Sequence, residues 1–474
     1  MKVVLTGATG LVGKELGKAL VSQGHEIFVI SRNATKARLQ LPYPCKIIEG
    51  DLAAGPILDE RFLHPMDVVI NLAGESIGGG RWNEARKRRI YESRILGTRH
   101  LIKSLSVAPK IFLNASAVGY YGSHGDQDIS EESAASDDFL SHVCQDWEEE
   151  LLILSYGEAL STTRVVALRT GMILAAKGGA LEKLLPLFRR GLGGVLGDGK
   201  QWMSWIHIDD VVGLILHILD KNSIRGPVNL VSPHPVINEE FTKILASVLG
   251  VGVGPHVPAF ALWTALGEMA NLLLLSQKVI PRVALQSDYK FLYPELKAAL
   301  EQILESGEKD FFVTEQYLPW KPEEIFPFFS QARNLARITP PSLGFKVLST
   351  PPEKIQLGSE ITYRMKVRGF PIKWKTVITE WTPPYRFTDT QEQGPYHFWE
   401  HSHELRPFAH GTLMTDRIYY SLPMGMLGNL IGGLLARAEV EKVFEFRKET
   451  LIKSLQEELG LADSALSKSE AFSI

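Results

Sequence analysis

Three glycines lie close together near the start of the chain, in the segment TGATGLVG. Gly7, Gly10 and Gly13 separate the strand-like run KVVL from the amphipathic segment GKELGKALVSQG. Glycines at this spacing allow a tight turn and let a pyrophosphate approach the backbone at the N-terminus of the following helix. A glycine turn used only for packing is the alternative, but the position between a first strand and a first helix favours dinucleotide binding.

The end of the second strand-like run indicates which dinucleotide is bound. A site for NAD carries an Asp or Glu about 20 residues after the glycines, where it binds the ribose 2′-hydroxyl. Here the run ends in VISRN, which supplies Ser31 and Arg32 but no carboxylate, and Lys36 and Arg38 follow. Basic side chains suit a 2′-phosphate, so the sequence predicts NADP(H), unless these are ordinary solvated residues.

Composition and charge limit the class of protein. A chain of 474 residues with 45% hydrophobic and 22% charged residues suits two or three globular domains. The formal net charge of −3, without a basic block, argues against nucleic acid and acidic membranes as partners. The only cysteines are Cys45 and Cys144, and the longest apolar runs fall short of the ~20 residues of a membrane span. We therefore expect a cytoplasmic protein that binds a small molecule; its oligomeric state is left open.

Strand-like and helix-like segments alternate through the first part of the chain, with strands such as EIFVIS, DVVINLAG and TRVVALRTG. This alternation predicts an α/β fold with a Rossmann-type doubly wound parallel sheet. From about residue 308 aromatic residues, prolines and alternating strands dominate, and an amphipathic helix is predicted over roughly 434–459. The sequence thus predicts one domain over 1–307, with its substrate side at roughly 175–300, and a C-terminal α+β domain over 308–474.

Several motifs resemble those of the extended short-chain dehydrogenase/reductase superfamily: GDL, NLAG, NASAVGYYG, LRTG and WIHIDD. The closer resemblance, carried by RW, SRILGT, SAVGYYG and GPVNLVSP, is to an atypical branch known as epimerase family proteins, and it covers residues 1 to about 300. Together with the glycine turn, this resemblance implies cofactor contacts from residues at several strand ends, namely Thr6, Gly7, Thr9, Gly10, Leu11, Val12, Gly13, Ser31, Arg32, Asp51, Leu52, Leu72, Ala73, Gly74 and Arg169.

The catalytic Tyr-x-x-x-Lys pair of that superfamily is missing. The segment DDFLSHVCQDWEEE, where the resemblance places the pair, contains neither tyrosine nor lysine. Ser116, in the catalytic-serine position, Tyr120 and His142 are the candidate replacements, and His142 is the easier base because imidazole titrates near pH 6.5. Each has a structural alternative: the hydroxyl can cap local backbone, and a helix histidine often packs at the surface. Cys144 is a further candidate, unless it is a small buried hydrophobe.

The substrate side also departs from the nucleotide-sugar epimerases. Met203 stands where the resemblance places an arginine for the substrate phosphate, and Trp82, Trp202 and Trp205 are expected around the pocket, unless they are core residues. Asp209 and Asp210 are expected to cap a helix. We expect a small, fairly apolar substrate, with contacts from Glu75, Trp82, Arg94, Trp202 and His207.

The C-terminal part resembles the START-like or polyketide-cyclase-like helix-grip domains, on the strings YHFWEHSHEL and GTLMTDRIYYSLP and the final helix. The resemblance implies an antiparallel sheet around a long helix, with a hydrophobic ligand in the gap. Strand alternation puts His397, Trp399, His401 and His403 on one face, which is expected to line a cavity. His401 and His403 have the spacing of a zinc pair, but no cysteine or further carboxylate is obviously paired with them, so no metal is assigned.

Three functions are compatible with these residues. The first is an NADP(H)-dependent oxidoreductase with an atypical proton relay. The second is a non-catalytic sensor or carrier that binds NADP and a hydrophobic ligand, which an intact glycine turn without the Tyr/Lys pair would also suit. The third, a nucleotide-sugar epimerase, is disfavoured by Met203 and by the missing tyrosine.

Overall fold

The structure is a computed structural model that describes residues 1–156, 163–304, 310–348, 354–367, 370–423 and 425–461. The chain divides into two compact units, a first unit of Met1–Ala34 with Ile47–Gly307 and a second unit of Thr35–Lys46 with Glu308–Ile474. The domain boundary predicted between residues 307 and 308 lies outside the described residues. Within the described ranges, each helix is too short or too polar to cross a membrane.

Short strands rich in Val, Ile and Leu recur up to residue 280. In chain order they are β1 Lys2–Thr6, β2 Glu26–Ser31, β3 Lys46–Glu49, β4 Val68–Asn71, β5 Ile111–Ala117, β6 Asp128–Ile129, β7 Arg164–Thr170, β8 Met172–Leu174, β9 Trp202–Met203, β10 Trp205–His207, β11 Gly226–Leu230, β12 Val236–Ile237 and β13 Lys278–Val279.

Seven of these strands form one sheet in the order β11-β7-β5-β4-β1-β2-β3. The pairs β1–β2, β1–β4, β4–β5, β5–β7 and β7–β11 are all parallel. The central strand β4 is buried along its whole length, as expected of a sheet covered on both faces. The direction of strand addition reverses between β1 and β4, and the carboxyl ends of strands at such a switch point form the ligand crevice of these sheets. The predicted Rossmann-type sheet is confirmed.

The helices before residue 305 are α1 Leu11–Ser22, α2 Ala34–Gln40, α3 Glu84–Ser104, α4 Phe139–Glu149, α5 Leu152–Tyr156, α6 Gly179–Arg189, α7 Ile208–Asp220, α8 Asn238–Val248, α9 Ala259–Leu266, α10 Asn271–Leu274, α11 Arg282–Gln286 and α12 Leu296–Ile303. Two of them position the residues that matter below. Helix α1 follows the glycine turn, and the buried positions Gly13, Leu16 and Leu20 lie on one of its faces. Helix α4 begins after Asp138, whose carboxylate accepts hydrogen bonds from two backbone N–H groups of its first turn.

The second unit contains an antiparallel sheet and a long final helix. The strands are β14 Asp310–Leu318, β15 Lys346–Val347, β16 Glu360–Val367, β17 Phe370–Thr382, β18 Arg386–Gln393, β19 Phe398–Phe408 and β20 Gly411–Ser421, in the sheet order β14-β20-β19-β18-β17-β16-β15. The helices are α13 Pro322–Phe329, α14 Ala332–Leu335 and α15 Gly425–Glu458.

Helix α15 buries Val440, Phe444, Leu451 and Leu455, at helical spacing, against the strands of this sheet and α13. The predicted antiparallel sheet with a long C-terminal helix is confirmed. The helix begins at Gly425 rather than near residue 434.

Candidate functional site

The glycine turn between β1 and α1 has no room for side chains at two of its positions. Gly7 has a φ of +65°, and a Cβ added to it would lie 2.6 Å from the Leu72 carbonyl oxygen. A Cβ on Gly13 would lie 2.4 Å from the Gly7 carbonyl oxygen. Gly10 precedes α1 without any side-chain cap, so no side chain of the cap residue competes for the first amides of that helix. The backbone there is free to approach a phosphate.

The remaining residues of the turn divide into half-buried and buried ones. Thr9, Leu11 and Val12 are half-buried. Thr6, in contrast, is 1% exposed: its hydroxyl donates to Asn71 Oδ1 at 2.6 Å and accepts from the backbone N–H of Leu72 and Ala73, both at 3.1 Å. The Thr6 hydroxyl, which the sequence predicts to contact a cofactor, therefore links the ends of β1 and β4 inside the protein.

That arrangement fixes the loop after β4. Asn71 donates to Asn114 Oδ1 at 2.7 Å, which ties β4 to β5 within the core. Leu72 and Ala73 are half-buried and Gly74 is exposed. The three residues predicted as cofactor contacts thus follow β4 at the switch point, next to Gly7.

Two charged residues are exposed after the outer strands of the sheet. Arg32 follows β2, and Asp51 follows β3 and accepts from the Ala53 N–H at 3.0 Å. Ser31, at the last position of β2, bonds to the backbone carbonyl of Asn33 at 3.3 Å. Leu52 is 8% exposed and packs in the core, and its carbonyl oxygen lies 2.8 Å from His100 Nδ1. The sequence predicts that Arg32 binds a 2′-phosphate, and the structure exposes Arg32 at this edge of the first unit.

A buried polar cluster of the first unit joins β5, α4 and β7. Ser116 Oγ donates to Glu148 Oε1 at 2.6 Å. Arg169 donates to the same carboxylate with two groups, Nε to Oε1 at 2.9 Å and Nη2 to Oε2 at 2.7 Å. Ser116 and Arg169 are 5% and 3% exposed. Glu148 therefore accepts a hydroxyl and a guanidinium at once, a geometry typical of strong charge-assisted hydrogen bonds.

Two tyrosines complete this cluster. The Arg169 guanidinium lies 3.4 Å from the ring centroid of Tyr120, and its Nη1 donates to the Tyr121 hydroxyl at 3.0 Å. Tyr121 in turn donates to Asn229 Oδ1 at 2.7 Å, and burial raises the pKa of its phenol to about 12. Arg169, predicted as a cofactor contact, has these donors engaged inside the protein, whereas Tyr120 is half-buried beside it.

Sequence reasoning missed Glu148 and named His142 instead. The periodicity of α4 turns Ser141, Cys144 and Glu148 toward the protein and His142 outward, where its side chain is 56% exposed and its Nε2 lies 2.7 Å from Asp137 Oδ1. The structure does not bring His142 to Ser116. Burial, with a contribution from the Glu148 charge, raises the pKa of Cys144 to about 11, which leaves a thiol rather than a thiolate. The signal that could have found Glu148 is the WE pair, Trp147 and Glu148, in the segment DDFLSHVCQDWEEE that replaces the Tyr/Lys pair.

The predicted substrate contacts near α3 are engaged with the loop after β4. Arg94 donates through Nη1 to the carbonyls of Glu75 and Ile90, both at 3.0 Å, and burial lowers its pKa. Glu75 accepts there through its backbone and is half-buried. Trp82 donates from its indole to the Ile77 carbonyl at 2.9 Å and packs edge-to-face on Phe139, the first residue of α4. Arg94 and Trp82 therefore shape the same loop from two sides.

The predicted contacts on the substrate side are dispersed. Trp202 is half-buried and donates to Asp126 Oδ1 at 2.8 Å, whereas Trp205 is 0% exposed and belongs to the core. His207 is 1% exposed: its Nδ1 accepts from the Asp209 N–H at 3.1 Å, and its Nε2 lies 2.9 Å from Gln302 Oε1. Both ring nitrogens thus have partners inside the protein, which is a structural role for the histidine that the sequence predicts as a substrate contact.

The cap of α7 also differs from the expectation. His207 itself is the N-cap, and Asp210 points away from the helix start. Its carboxylate accepts from the backbone N–H groups of Leu292 and Tyr293 at 2.7 and 2.9 Å. Asp210 therefore anchors the segment that precedes α12, since a buried carboxylate needs such donors.

Two family models match the chain. The NAD dependent epimerase/dehydratase family matches residues 3–230, and a domain family of unknown function, DUF1731, matches residues 257–303. Together the two matches cover most of the first unit, from β1 through α12.

Individual proteins match over the same region. The epimerase family protein YfhF of Bacillus subtilis is 39% identical over 312 residues, which are 64% of this chain and 98% of YfhF. The crystal structure of the human epimerase family protein SDR39U1 with NADPH is 34% identical and covers 65% of this chain and all of that one, with a TM-score of 0.57. A nucleoside-diphosphate sugar epimerase from Corynebacterium glutamicum, also 34% identical, covers 64% of this chain and 58% of its own, with a TM-score of 0.51.

Proposed function

The chain belongs to the SDR39U1-like epimerase family, and from that premise we propose that its first unit binds NADP(H) and acts as an oxidoreductase on a small carbonyl or hydroxyl compound. The observation that carries the proposal is the pair of glycine positions, Gly7 and Gly13, that admit no Cβ beside the uncapped start of α1. A turn of this kind fits a dinucleotide pyrophosphate.

Two observations favour NADP(H) over NAD. Arg32 is exposed directly after β2, where an NAD site would carry a carboxylate. The human relative, 34% identical, was crystallised with NADPH. When bound, the nicotinamide supplies or accepts a hydride; the residues of this chain would bind it, orient it and handle the proton.

Ser116 and Glu148 are the groups that fit the proton transfer. The Ser116 hydroxyl donates its hydrogen bond to Glu148, so its oxygen can accept a hydrogen bond from a substrate hydroxyl. Such a hydroxyl would lose its proton to Ser116 Oγ while Ser116 passes its own proton to Glu148. Reduction of a carbonyl runs the same relay backwards. This relay replaces the missing tyrosine and lysine, and His142 has no part in it.

We propose that the first unit prefers a fairly apolar substrate. Met203, at the position where a sugar-nucleotide epimerase is expected to hold substrate phosphate, packs against a hydrophobic cluster of the first unit. Its sulfur accepts from Asn238 Nδ2 at 3.4 Å. The phosphates of a nucleoside-diphosphate sugar would therefore find no arginine at this position, although one relative is a nucleoside-diphosphate sugar epimerase.

A non-catalytic binding protein is the second candidate, and the bidentate Arg169–Glu148 pair favours it. Both oxygens of that carboxylate already accept from the guanidinium, which suits a structural role for the pair. In that case the cluster would serve only to rigidify the floor of the cofactor site, and the protein would act as a sensor or carrier.

The second unit is proposed to bind a hydrophobic ligand, as the helix-grip resemblance implies. Its sheet and α15 enclose a cavity of about 190 Å³. The wall is mainly aromatic and aliphatic, with Trp374 and Trp399 packed edge-to-face at 5.3 Å between ring centroids. Mainly apolar cavities of this kind suit apolar ligands.

Fluorescence titration of the full chain with NADPH and with NADH tests the cofactor proposal. We expect NADPH to bind at least about 10-fold more tightly, or about 1.4 kcal/mol. Arg32→Glu should abolish the preference, and Arg88→Glu, on the exposed face of α3, should leave it intact. Equal affinities in the unaltered chain would contradict NADP(H) specificity.

Mass spectrometry of the small molecules released from freshly purified protein then supplies substrate candidates. Turnover of NADPH with such a carbonyl compound supports the oxidoreductase. Tight cofactor binding without turnover across a broad carbonyl panel supports the sensor or carrier, and conversion of a nucleotide sugar supports the epimerase.

A further inference from the structure

The cavity of the second unit has one strongly polar part in its wall. Asp389, His401 and His403 all line it, among the apolar side chains described above. The two histidines are 5% and 6% exposed. Burying several polar groups so close together lowers the stability of the fold unless each group has a hydrogen-bond or charge partner.

Strand register brings these groups together. His401 and His403 lie two apart on β19, so both point to the same face of the sheet. Asp389 of β18 is directly opposite His401, and Asp416 of β20 is directly opposite His403. The pair of histidines is thus flanked by one carboxylate on each neighbouring strand.

The Asp416 carboxylate contacts one nitrogen of each imidazole. Its Oδ1 lies 2.9 Å from His401 Nε2 and 2.8 Å from His403 Nδ1, the second contact being too bent for a good hydrogen bond. A carboxylate oxygen in contact with both nitrogens favours a proton on each of them. The other nitrogens, His401 Nδ1 and His403 Nε2, then carry lone pairs.

Those two lone pairs face the remaining carboxylate. Asp389 Oδ2 lies 3.5 Å from His401 Nδ1 and 3.6 Å from His403 Nε2, while its Oδ1 accepts from Thr376 at 3.0 Å. All three donor atoms lie within 4.8 Å of one another. Distances of 3.5–3.6 Å exceed a hydrogen bond but approach the ~3.4 Å between neighbouring ligand atoms of a tetrahedral ion with bonds of ~2.1 Å.

We propose that Asp389, His401 and His403 bind a divalent transition-metal ion of the zinc class at the wall of this cavity. Two imidazoles and one carboxylate are the ligand types that such ions take in sites with an open position. Asp416, on the far nitrogens, orients both imidazoles as carboxylates do behind metal-bound histidines. The open position faces the cavity, so a ligand held there would coordinate the ion.

Arg447 indicates the charge of that ligand. It lines the same cavity and is 7% exposed. Among the residues that the structure describes, its Nε and Nη1 have no hydrogen-bond partner, although Nη1 is 3.8 Å from Asp416 Oδ1. These Arg447 donors need an acceptor near the open position, although Glu439 also lines the cavity. An anionic fourth ligand, a hydroxide or the carboxylate of an apolar acid, supplies acceptors for these donors.

The alternative to a metal ion is a proton shared among the same three atoms. Metal analysis of the full chain distinguishes the ion from the proton. The protein is stripped with a chelator, dialysed, and titrated with Co²⁺ and then Zn²⁺. We expect one Co²⁺ per chain with the visible bands of four-coordinate cobalt, displacement by Zn²⁺, and a higher Tm with the metal. Less than a tenth of an equivalent of metal bound by the folded protein would overturn the proposal.

Variants assign the ion to these residues. Asp389→Asn and His403→Gln should abolish the cobalt bands, and Asp416→Asn should weaken metal affinity by roughly 10- to 100-fold. His397→Ala, an exposed histidine just before β19, is the matched control and should bind like the unaltered chain. Unchanged cobalt bands in both Asp389→Asn and His403→Gln, with native circular dichroism, would place the ion elsewhere and overturn the assignment.

Discussion

The Ser116 hydroxyl donates to Glu148 Oε1 at 2.6 Å, and this short hydrogen bond joins the end of β5 to the last turn of α4. The family resemblance places the serine in the position of a catalytic serine, and the proposed relay uses the glutamate as its base. The proton relay of the proposed oxidoreductase depends on this contact.

Glu148→Gln should therefore lower kcat/KM by roughly 10²–10⁴-fold, the usual contribution of acid–base catalysis, with NADPH affinity unchanged. The measurement is NADPH oxidation with a carbonyl substrate identified from the bound small molecules. Glu149→Gln is the matched control, because Glu149 is the next residue of α4 and is exposed. Equal rates for both variants would remove Glu148 from the chemistry.

Arg169 should matter for stability more than for cofactor affinity. Its removal leaves the Glu148 carboxylate without two donors inside the protein, so Arg169→Met should lower the free energy of unfolding by about 3 kcal/mol. Urea unfolding measures the change. Arg88→Met, at a side chain that is 78% exposed, should change it by less than about 0.5 kcal/mol. A loss of NADPH affinity without a loss of stability would instead indicate a direct cofactor contact.

Gly13→Ala should destabilise the first unit and weaken cofactor binding, because the added Cβ would lie 2.4 Å from the Gly7 carbonyl oxygen. A cost of about 1–3 kcal/mol is expected from such overpacking. Gly97→Ala in α3 is the comparison. Apart from its chain neighbours and the backbone of α3, no atom of the described residues lies within 4 Å of its Cβ position, and the better helix former should stabilise by up to about 1 kcal/mol. Thermal unfolding with and without NADPH reports both effects, and a neutral Gly13→Ala would contradict the tight turn.

His207 should make stability depend on pH. Burial lowers its pKa below 6.5 in the folded state, so below about pH 6.5 the unfolded chain takes up a proton that the folded chain does not. Its contribution therefore falls as the pH drops, by at most about 1.4 kcal/mol per pH unit. His207→Asn keeps a capping side chain for α7 but cannot titrate.

Urea unfolding at pH 8 and pH 5 should then show a smaller loss of stability in His207→Asn than in the unaltered chain. Comparison of the two proteins removes the contribution of the other histidines. The same loss in both would mean that His207 titrates normally in the folded protein.

Much of the fold follows from local pattern. The apolar runs of β1, β2, β4, β5 and β7 and the amphipathic segments between them indicate a parallel sheet, because such strands must be buried on both faces. Gly7 and Gly13 could be recognised as a nucleotide turn for the same local reason: their spacing is set by the backbone of one strand, one turn and one helix.

The sequence could not reveal which side chains meet across the fold. Glu148 is 32 residues from Ser116 and 21 from Arg169, and only the orientation of α4 against the sheet turns it inward and His142 outward. His401 and His403 were visible as a pair two residues apart. Their carboxylate partners come from neighbouring strands, and register alone decided that these are Asp389 and Asp416.

The sequence by itself thus determined the elements, the cofactor turn and the family, since these depend on residues close together along the chain. The tertiary structure decided the cluster of Ser116, Glu148 and Arg169 and the buried Asp–His cluster. Contacts of that kind arise when distant residues are desolvated together, and the free energy of pairing them exists only in the folded protein.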